Sequence, residues 1–357
     1  MKILSVIGAR PQFIKEAVIQ NEMSKFHDVE EVVVHTGQHY DDSMSGVFFE
    51  VLHMKKPEYN LGIKASKHGE MTGKMLIELE KVMLKENPDI VLLYGDTNST
   101  LAGAIAASKL KIKIAHVEAG IRQHPKDMPE EINRVVTDHI SQYLFCPSEL
   151  AVKNLEMENI KDGVYFVGDI MYDLYLKMRA HFNYEILERL GLKENDYILC
   201  TIHRDFNTDN PEKLKDILDG LSRIARDINV VFPMHPRTKK MISQFGFESL
   251  LNGIAVIEPV DYLGMMGLLE KCFMVITDSG GLQKEAYFAG KRALVVMPDT
   301  GWRELIEIGW SKLSSPENLF LVYSNMIFER DKKVKINIYG DGKSGEKIIK
   351  ILRGVVK

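Results

Sequence analysis

Residues 91–100 read VLLYGDTNST: four apolar residues, then Gly95, Asp96 and a run of hydroxyl and amide side chains. A short, continuously apolar run suits a strand buried by helices on both faces. Its abrupt end on a carboxylate has two explanations. Asp96 caps a helix starting at Thr97, since Asp, Asn, Ser and Thr side chains accept from the unpaired N–H groups of a helix start. Alternatively, Asp96 belongs to a site at a strand exit.

The pattern repeats along the chain. Apolar runs at 2–7, 31–36, 89–94, 112–117, 143–146 and 164–167 predict six strands, and a second series follows at 197–203, 229–234, 254–257, 273–277 and 293–297. Helical patterns, such as 72–86 and 97–109, lie between them. Strands alternating with helices predict an α/β fold of parallel sheets covered on both faces. At 357 residues the chain suits two domains. They are expected at 1–170 and 171–357, with a helix-like stretch near 171–195 between the two series. The tail, YGDGKSGEKIIKILRGVV, ends in a short amphipathic helix, a candidate to cross back to the first domain.

Composition narrows the function. Apolar residues make up 45% of the chain and charged residues 27%, with 46 basic against 50 acidic side chains and a net charge of −4. Such a balance gives no global attraction to nucleic acid or to an anionic membrane, so any anion is held by a local cluster. The apolar start of MKILSVIGAR meets Arg10 too soon for a signal-peptide core, and no run approaches a membrane span. Cys146, Cys200 and Cys272 lack metal or redox spacing and read as core thiols in a reducing compartment. A cytoplasmic protein is expected, with no nucleic acid, membrane, metal or cofactor implied.

In open α/β sheets, functional residues gather beyond the carboxyl ends of the strands. The first strand exits into GARPQFIK, where Gly8 allows a tight turn, Pro11 suits a first helical turn, and Arg10 and Lys15 flank a helix N-terminus. That is an anion site, without the glycine pattern of a dinucleotide fold or P-loop. The second exit, TGQHYDD, offers Gln38 and His39. The third carries Asp96. The fourth, AHVEAGIR, supplies His116, Glu118 and Arg122, followed by MPEEINR with Glu130, Glu131 and Arg134; a salt bridge alone would explain Glu131 with Arg134. The second half supplies cations and another anion cradle: His203-Arg204, His235 with Arg237, and TDSGGLQKEA. There, glycines at 280–281 admit a phosphate to backbone N–H groups, Ser279 adds a hydroxyl, and Glu285 suits a ribose diol. One half offers carboxylates for proton transfer and the other offers phosphate and ribose binding.

As a set, these motifs resemble the non-hydrolysing UDP-N-acetylglucosamine 2-epimerases. GARPQFIK, TGQHY, YGDTNSTLAGA, AHVEAGIR, MPEEINR, VGDIMYD, HR at 203–204, HPR at 235–237, TDSGGLQKEA and YGDGKSGEKI occur in order over nearly the whole chain. The resemblance implies two Rossmann-like domains in a glycosyltransferase B-type arrangement, an active site in the interdomain cleft, and a homodimer. It implies inversion at C2 by elimination of UDP and its re-addition to a 2-acetamidoglycal. By motif matching, Asp96, Glu118 and Glu130 carry protons, in an order left open. Arg10, Lys15 and His203 serve the diphosphate, His203 being counted with the catalytic set. Ser279, Gly280, Gly281 and Glu285 hold phosphate and ribose, with Gln38, His39, Arg122, His235 and Arg237 as further candidates.

The chain departs from the family pattern at Met297, Pro298 and Gly301, where Arg, Asp and Glu are common, and at Phe206, where Glu is common. Together with VGDIMYD and Trp302, these departures favour a UDP-2,3-diacetamido-2,3-dideoxy-glucuronate substrate, with UDP-N-acetylglucosamine as the alternative. A B-type glycosyltransferase and a non-catalytic UDP-sugar sensor are the competing readings.

Overall fold

The computed structural model describes residues 1–37, 55–65, 67–328 and 337–355, the side chains of Arg10 and Val355 aside. The chain divides into two compact units, one of Met1–Lys177 with Asn337–Lys357 and the other of Met178–Ile336.

In the first unit, strands β1 (Lys2–Ile7), β2 (Glu30–His35), β3 (Tyr59–Asn60), β4 (Ile90–Tyr94), β5 (Lys113–Val117), β6 (Tyr143–Cys146) and β7 (Val164–Phe166) form one sheet. Its order is β3-β2-β1-β4-β5-β6-β7, parallel throughout. In the second unit, β8 (Tyr197–Thr201), β9 (Asn229–Pro233), β10 (Ile254–Ile257), β11 (Met274–Thr277), β12 (Ala293–Val295) and β13 (Ser311–Leu313) run parallel in the order β10-β9-β8-β11-β12-β13. Both units are Rossmann-like. The order reverses between β1 and β4 in the first sheet and between β8 and β11 in the second. At a reversal the flanking helices leave on opposite faces and open a crevice at the carboxyl ends.

The apolar runs account for eleven of these thirteen strands. The other two, β3 and β13, have two and three residues at sheet edges, too short to impose a hydrophobic period. Every residue of β4 is buried, as a continuous apolar run predicts. The helix Asn98–Lys109 approaches the sheet closely because it presents Ala102, Gly103, Ala106 and Ala107; a Cβ on Gly103 would lie 2.7 Å from Leu93 Cδ2. All three cysteines are unpaired and buried. Among the described residues, no helix is long and apolar enough to cross a membrane.

The C-terminal helix, Ser344–Val355, belongs to the first unit. It buries Ile348, Ile349 and Leu352. The motifs VGDIMYD and YGDGKSGEK are the two sides of this attachment. Asp169 N donates to Tyr339 O at 2.9 Å, and Asp173 Oδ2 accepts from Gly345 N at 2.8 Å, serving an otherwise unpaired N–H of the helix start. Gly168 adopts φ +94°, and a Cβ there would sit 2.7 Å from Tyr339 O and 3.0 Å from Gly340 Cα. Gly168→Ala is therefore expected to destabilise the first unit by at least about 2 kcal/mol more than Gly62→Ala. Gly62 also has positive φ but open space around it. Denaturant unfolding of the two variants checks the difference.

Candidate active site

The reversal between β1 and β4 brings the sequence motifs of the first unit together. The β1 exit is held by Gln12, which is 1% exposed. Its Oε1 accepts from Gly8 N (2.8 Å) and Ala9 N (3.0 Å), while its Nε2 donates to Tyr94 O (2.7 Å) and faces Thr97 Oγ1 and Thr100 Oγ1 (3.0 Å each). Gly8 does not have the positive φ that a glycine-dependent turn would use. It is needed for proximity, since a Cβ would meet Ser99 Oγ at 2.1 Å and Thr36 Oγ1 at 2.3 Å. The helix Arg10–Met23 starts here with Pro11 in its first turn.

Asp96 is not the cap of the next helix. Thr97 holds that position and accepts from Thr100 N at 3.3 Å, so the helix starts at Asn98. The Asp96 side chain is turned to Arg134, whose Nη2 lies 2.5 Å from Asp96 Oδ2. The Arg134 Nη1 reaches Glu131 Oε2 at 2.5 Å, and Asn133 Nδ2 donates to Asp96 O at 2.9 Å. The helix Pro129–Ile140 thereby fixes the Asp96 turn through two polar contacts, with Glu131 orienting Arg134. Glu130, in its first turn, is exposed, while its neighbour Glu131 is buried.

Glu118 stands at the exit of β5, beside β4. It adopts φ +74°, a left-handed conformation costly for a residue with a Cβ. Its carboxylate pairs with Lys15 Nζ, and the two side chains are 13% and 7% exposed. Two of the expected site residues are thus in direct contact. Arg122 is fully committed elsewhere: it grips Glu158 through Nε and Nη2 (2.6 Å each) and Asp138 through Nη1 (2.7 Å). Burial works against its charge, but the two carboxylates outweigh that and raise its pKa. Arg122 is structural here. Gln38 and His39 lie outside the described residues, as does the side chain of Arg10.

In the second unit the reversal between β8 and β11 is organised by Asp278, which is fully buried. Its carboxylate accepts from His203 N (3.0 Å), Arg204 N (3.0 Å) and Asn207 Nδ2 (3.1 Å), shaping the β8 exit. His203 Nδ1 lies 3.5 Å from Asp278 Oδ1, and the His203 and His235 rings are 5.7 Å apart. Burial lowers the pKa of His203, and Arg204 and His235 add to this against the pull of Asp278. The sequence reading counted this histidine among the cations; near neutrality it is instead a neutral imidazole. His235 caps its own helix by accepting from Arg237 N at 3.1 Å, and Arg237 is held by Asp209.

Ser279 is the N-cap of the helix Gly280–Phe288, and Glu285 is half-buried one turn in. Gly280 and Gly281 have no positive φ, and a Cβ would meet nothing closer than 3.8 Å at the first or 4.0 Å at the second. Glycine costs a helix about 1 kcal/mol relative to alanine. Among the described residues no contact requires either glycine, and their lack of side chains leaves the helix N-terminus open to approach. Trp302 Nε1 donates to Gly280 O at 2.9 Å, and the buried Lys284 lies 3.8 Å above the Trp302 ring. At the family departures, Gln283 accepts from Thr300 Oγ1 (2.8 Å) and faces Met297 Sδ (3.5 Å), while Arg303 is engaged by Asp299 (3.1 Å). Among the described residues, no cluster of His, Cys, Asp and Glu is arranged to hold a metal.

Comparison with known proteins bears on this arrangement. A family model described as UDP-N-acetylglucosamine 2-epimerase matches residues 21–353. The chain belongs to this family. It is 43% identical to the UDP-2,3-diacetamido-2,3-dideoxy-D-glucuronate 2-epimerase of Pseudomonas aeruginosa, covering 99% of each chain. It is 42% identical to the UDP-N-acetylglucosamine 2-epimerase of Methanocaldococcus jannaschii, again over 99% of each. The crystal structure of the M. jannaschii enzyme with UDP-GlcNAc and UDP matches with a TM-score of 0.87 over 99% of this chain and 100% of that one. Family members are isomerases, and the epimerase fold of two parallel-sheet α/β units is the fold found here.

Sequence motifs led to Asp96, Glu118, Lys15 and Ser279 and to the Glu131–Arg134 pair, but not to the joining of the β1 and β4 exits by Gln12, the reach of Arg134 to Asp96, or the shaping of the β8 exit by Asp278. Gln12 and Asp278 stand inside the quoted motifs, yet their role shows only once the facing strand is known. Arg134 joins Asp96 to a nearly buried Glu131. Arg134→Met should cost about 3 kcal/mol, because it strands that carboxylate. Adding Glu131→Met should restore at least half of the loss. Urea unfolding of the single and double variants measures this coupling.

Proposed function

We propose that the protein inverts C2 of a UDP-2-acetamido sugar. A carboxylate removes the C2 proton as the C1–O bond breaks and UDP leaves as an anion, giving a 2-acetamidoglycal. A second acid then protonates C2 from the opposite face, and UDP re-adds at C1. The single observation behind this reading is the pair Asp96 and Glu118 at adjacent strand exits, each beside a buried cation. Proton removal and delivery on two faces require two positioned carboxyl groups, and Glu130 on the nearby exposed turn is the third candidate.

Lys15 offsets the charge of Glu118, and Arg10 is assigned to the diphosphate. In the second unit, Ser279 and the N–H groups at Gly280 and Gly281 are assigned to phosphate and Glu285 to ribose. His203, neutral near pH 7, would donate an N–H to the diphosphate rather than meet it as a cation. We favour the diacetamido uronate as substrate over UDP-N-acetylglucosamine. A buried carboxylate needs a cation. Of the two arginines available, Arg303 is engaged by Asp299, while the exposed Arg204 side chain has no carboxylate partner among the described residues.

In D2O, deuterium should enter C2 of a UDP-2-acetamido sugar without added nicotinamide or metal, as followed by proton NMR. Turnover that required a nicotinamide would refute the elimination mechanism. Asp96→Asn, Glu118→Gln and Glu130→Gln should each slow turnover about 10²–10⁴-fold while UDP affinity is kept. Kinetics on the two sugars side by side test the substrate, and a preference for UDP-N-acetylglucosamine would overturn the uronate assignment alone.

The lowered pKa of His203 gives a pH signature. Diphosphate binding favours its protonated form, so UDP affinity should gain an increment as pH falls through the histidine's titration. His203→Asn should lack that increment. Calorimetric titrations of both proteins across about pH 5–8 isolate it, because protonation of UDP itself is common to the two.

A further inference from the structure

His116 lies in β5, wholly buried, two residues before Glu118, and no step above uses it. A histidine inside an apolar strand is costly unless both ring nitrogens are satisfied. They are. Nε2 is 2.7 Å from Gly95 O, and Nδ1 is 2.7 Å from Asp138 Oδ1. A backbone carbonyl can only accept. The other Asp138 oxygen accepts from Gly120 N at 3.1 Å and Arg122 Nη1 at 2.7 Å, so that carboxyl serves donors on every side. Burial opposes its ionisation, yet His116 and Arg122 outweigh burial and hold its pKa below the usual carboxylate range. An acceptor therefore faces each ring nitrogen. Arg122 links Asp138 to Glu158, which lies at the partly exposed rim of the cluster.

The hydrogen bonds of this cluster end on two particular turns. Gly95, at φ +61°, is fixed by its carbonyl to His116 and by its N–H to Val117 O at 3.0 Å. The next residue is Asp96. Gly120, at φ +79°, is fixed by Asp138 just after Glu118. Hydrogen bonds of the His116–Asp138 pair therefore end on both backbone turns that carry the candidate proton-transfer groups.

We propose that His116, doubly protonated and paired with Asp138, is a positioning residue that locks the Asp96 and Glu118 turns in their mutual register. It touches no substrate and acts through Gly95 and Asp138. The proposal rests on the reading of Asp96 and Glu118 as proton carriers. A neutral imidazole has one N–H and would leave either the Gly95 carbonyl or Asp138 Oδ1 without its donor in a dry core, loosening the turn it serves. Misplacement of a catalytic group by about 1 Å can cost about 10²-fold in rate.

The test has two arms on the full-length protein. Long-range proton–nitrogen correlation of the ¹⁵N-histidine-labelled wild type, at pH 7.5, should show one buried ring with hydrogen on both nitrogens. It is assigned by its loss in His116→Gln or, should that chain not fold, by its shift in Asp138→Asn. One bare nitrogen on that ring overturns the proposal. In the second arm, Asp138→Asn should lower kcat for C2 exchange about 10²-fold with KM and UDP affinity within about two-fold. An unchanged kcat, or kcat and affinity falling together as in a generally loosened fold, overturns it. If the wild type exchanges C2 of no UDP-2-acetamido sugar, the function proposed above fails and the positioning role fails with it, while a doubly protonated ring would separate that failure from an error in the His116 geometry.

Discussion

The amide of Gln12 is the joint on which the strand-exit face of the first unit depends. It accepts from the two N–H groups that end β1 and donates to the carbonyl that ends β4. In a sheet whose order reverses between these strands, the two exits diverge and their backbone groups would be left to water or to nothing. One buried side chain closes that gap and frees the helix Arg10–Met23 to project Lys15 toward Glu118. Asp278 plays the corresponding part in the second unit, where a fully buried carboxylate gathers the N–H groups of the β8 exit. Each unit thus stabilises its reversal point with one buried acceptor.

Around those joints, charge is arranged in small networks, largely buried but each with one partly exposed carboxylate. Asp96, Arg134 and Glu131 form one, and His116, Asp138, Arg122 and Glu158 another. Buried ion pairs of this kind contribute little net stability, because desolvation offsets attraction. What they contribute is geometry, since a charged partner placed wrongly in a dry core is heavily penalised. The strained conformation of Glu118 fits this picture: its backbone sits where a β-carbon is disfavoured, and the surrounding bonds, including both N–H contacts to Phe145 O, keep it there.

The departures from the family pattern near residue 300 also make physical sense. With methionine at 297 and glycine at 301, the side chain of Gln283 finds Thr300 and a thioether, and Lys284 lies against the Trp302 ring. The region is knit by an amide, a hydroxyl and an aromatic face together with the Arg303–Asp299 ion pair. Trp302 Nε1 is a donor and engages the Gly280 carbonyl, so it does not compete for the N–H groups of Ser279, Gly280 and Gly281.

By itself the sequence determined the alternation of strand and helix, hence two parallel α/β units, and it placed the carboxylates and the glycine-rich turn at strand exits. Those features are local: an apolar run or a turn glycine carries its meaning within a few residues. Tertiary structure decided the rest. The pairing of Lys15 with Glu118, 103 positions apart, depends on which strands become neighbours, which no local pattern encodes. So does the choice of Thr97 over Asp96 as helix cap, since both side chains could accept the same N–H and only the position of Arg134 draws the aspartate away. Likewise His203 read as a cation from its neighbours in sequence. Burial, with Arg204 and His235 nearby, lowers its pKa against the pull of Asp278.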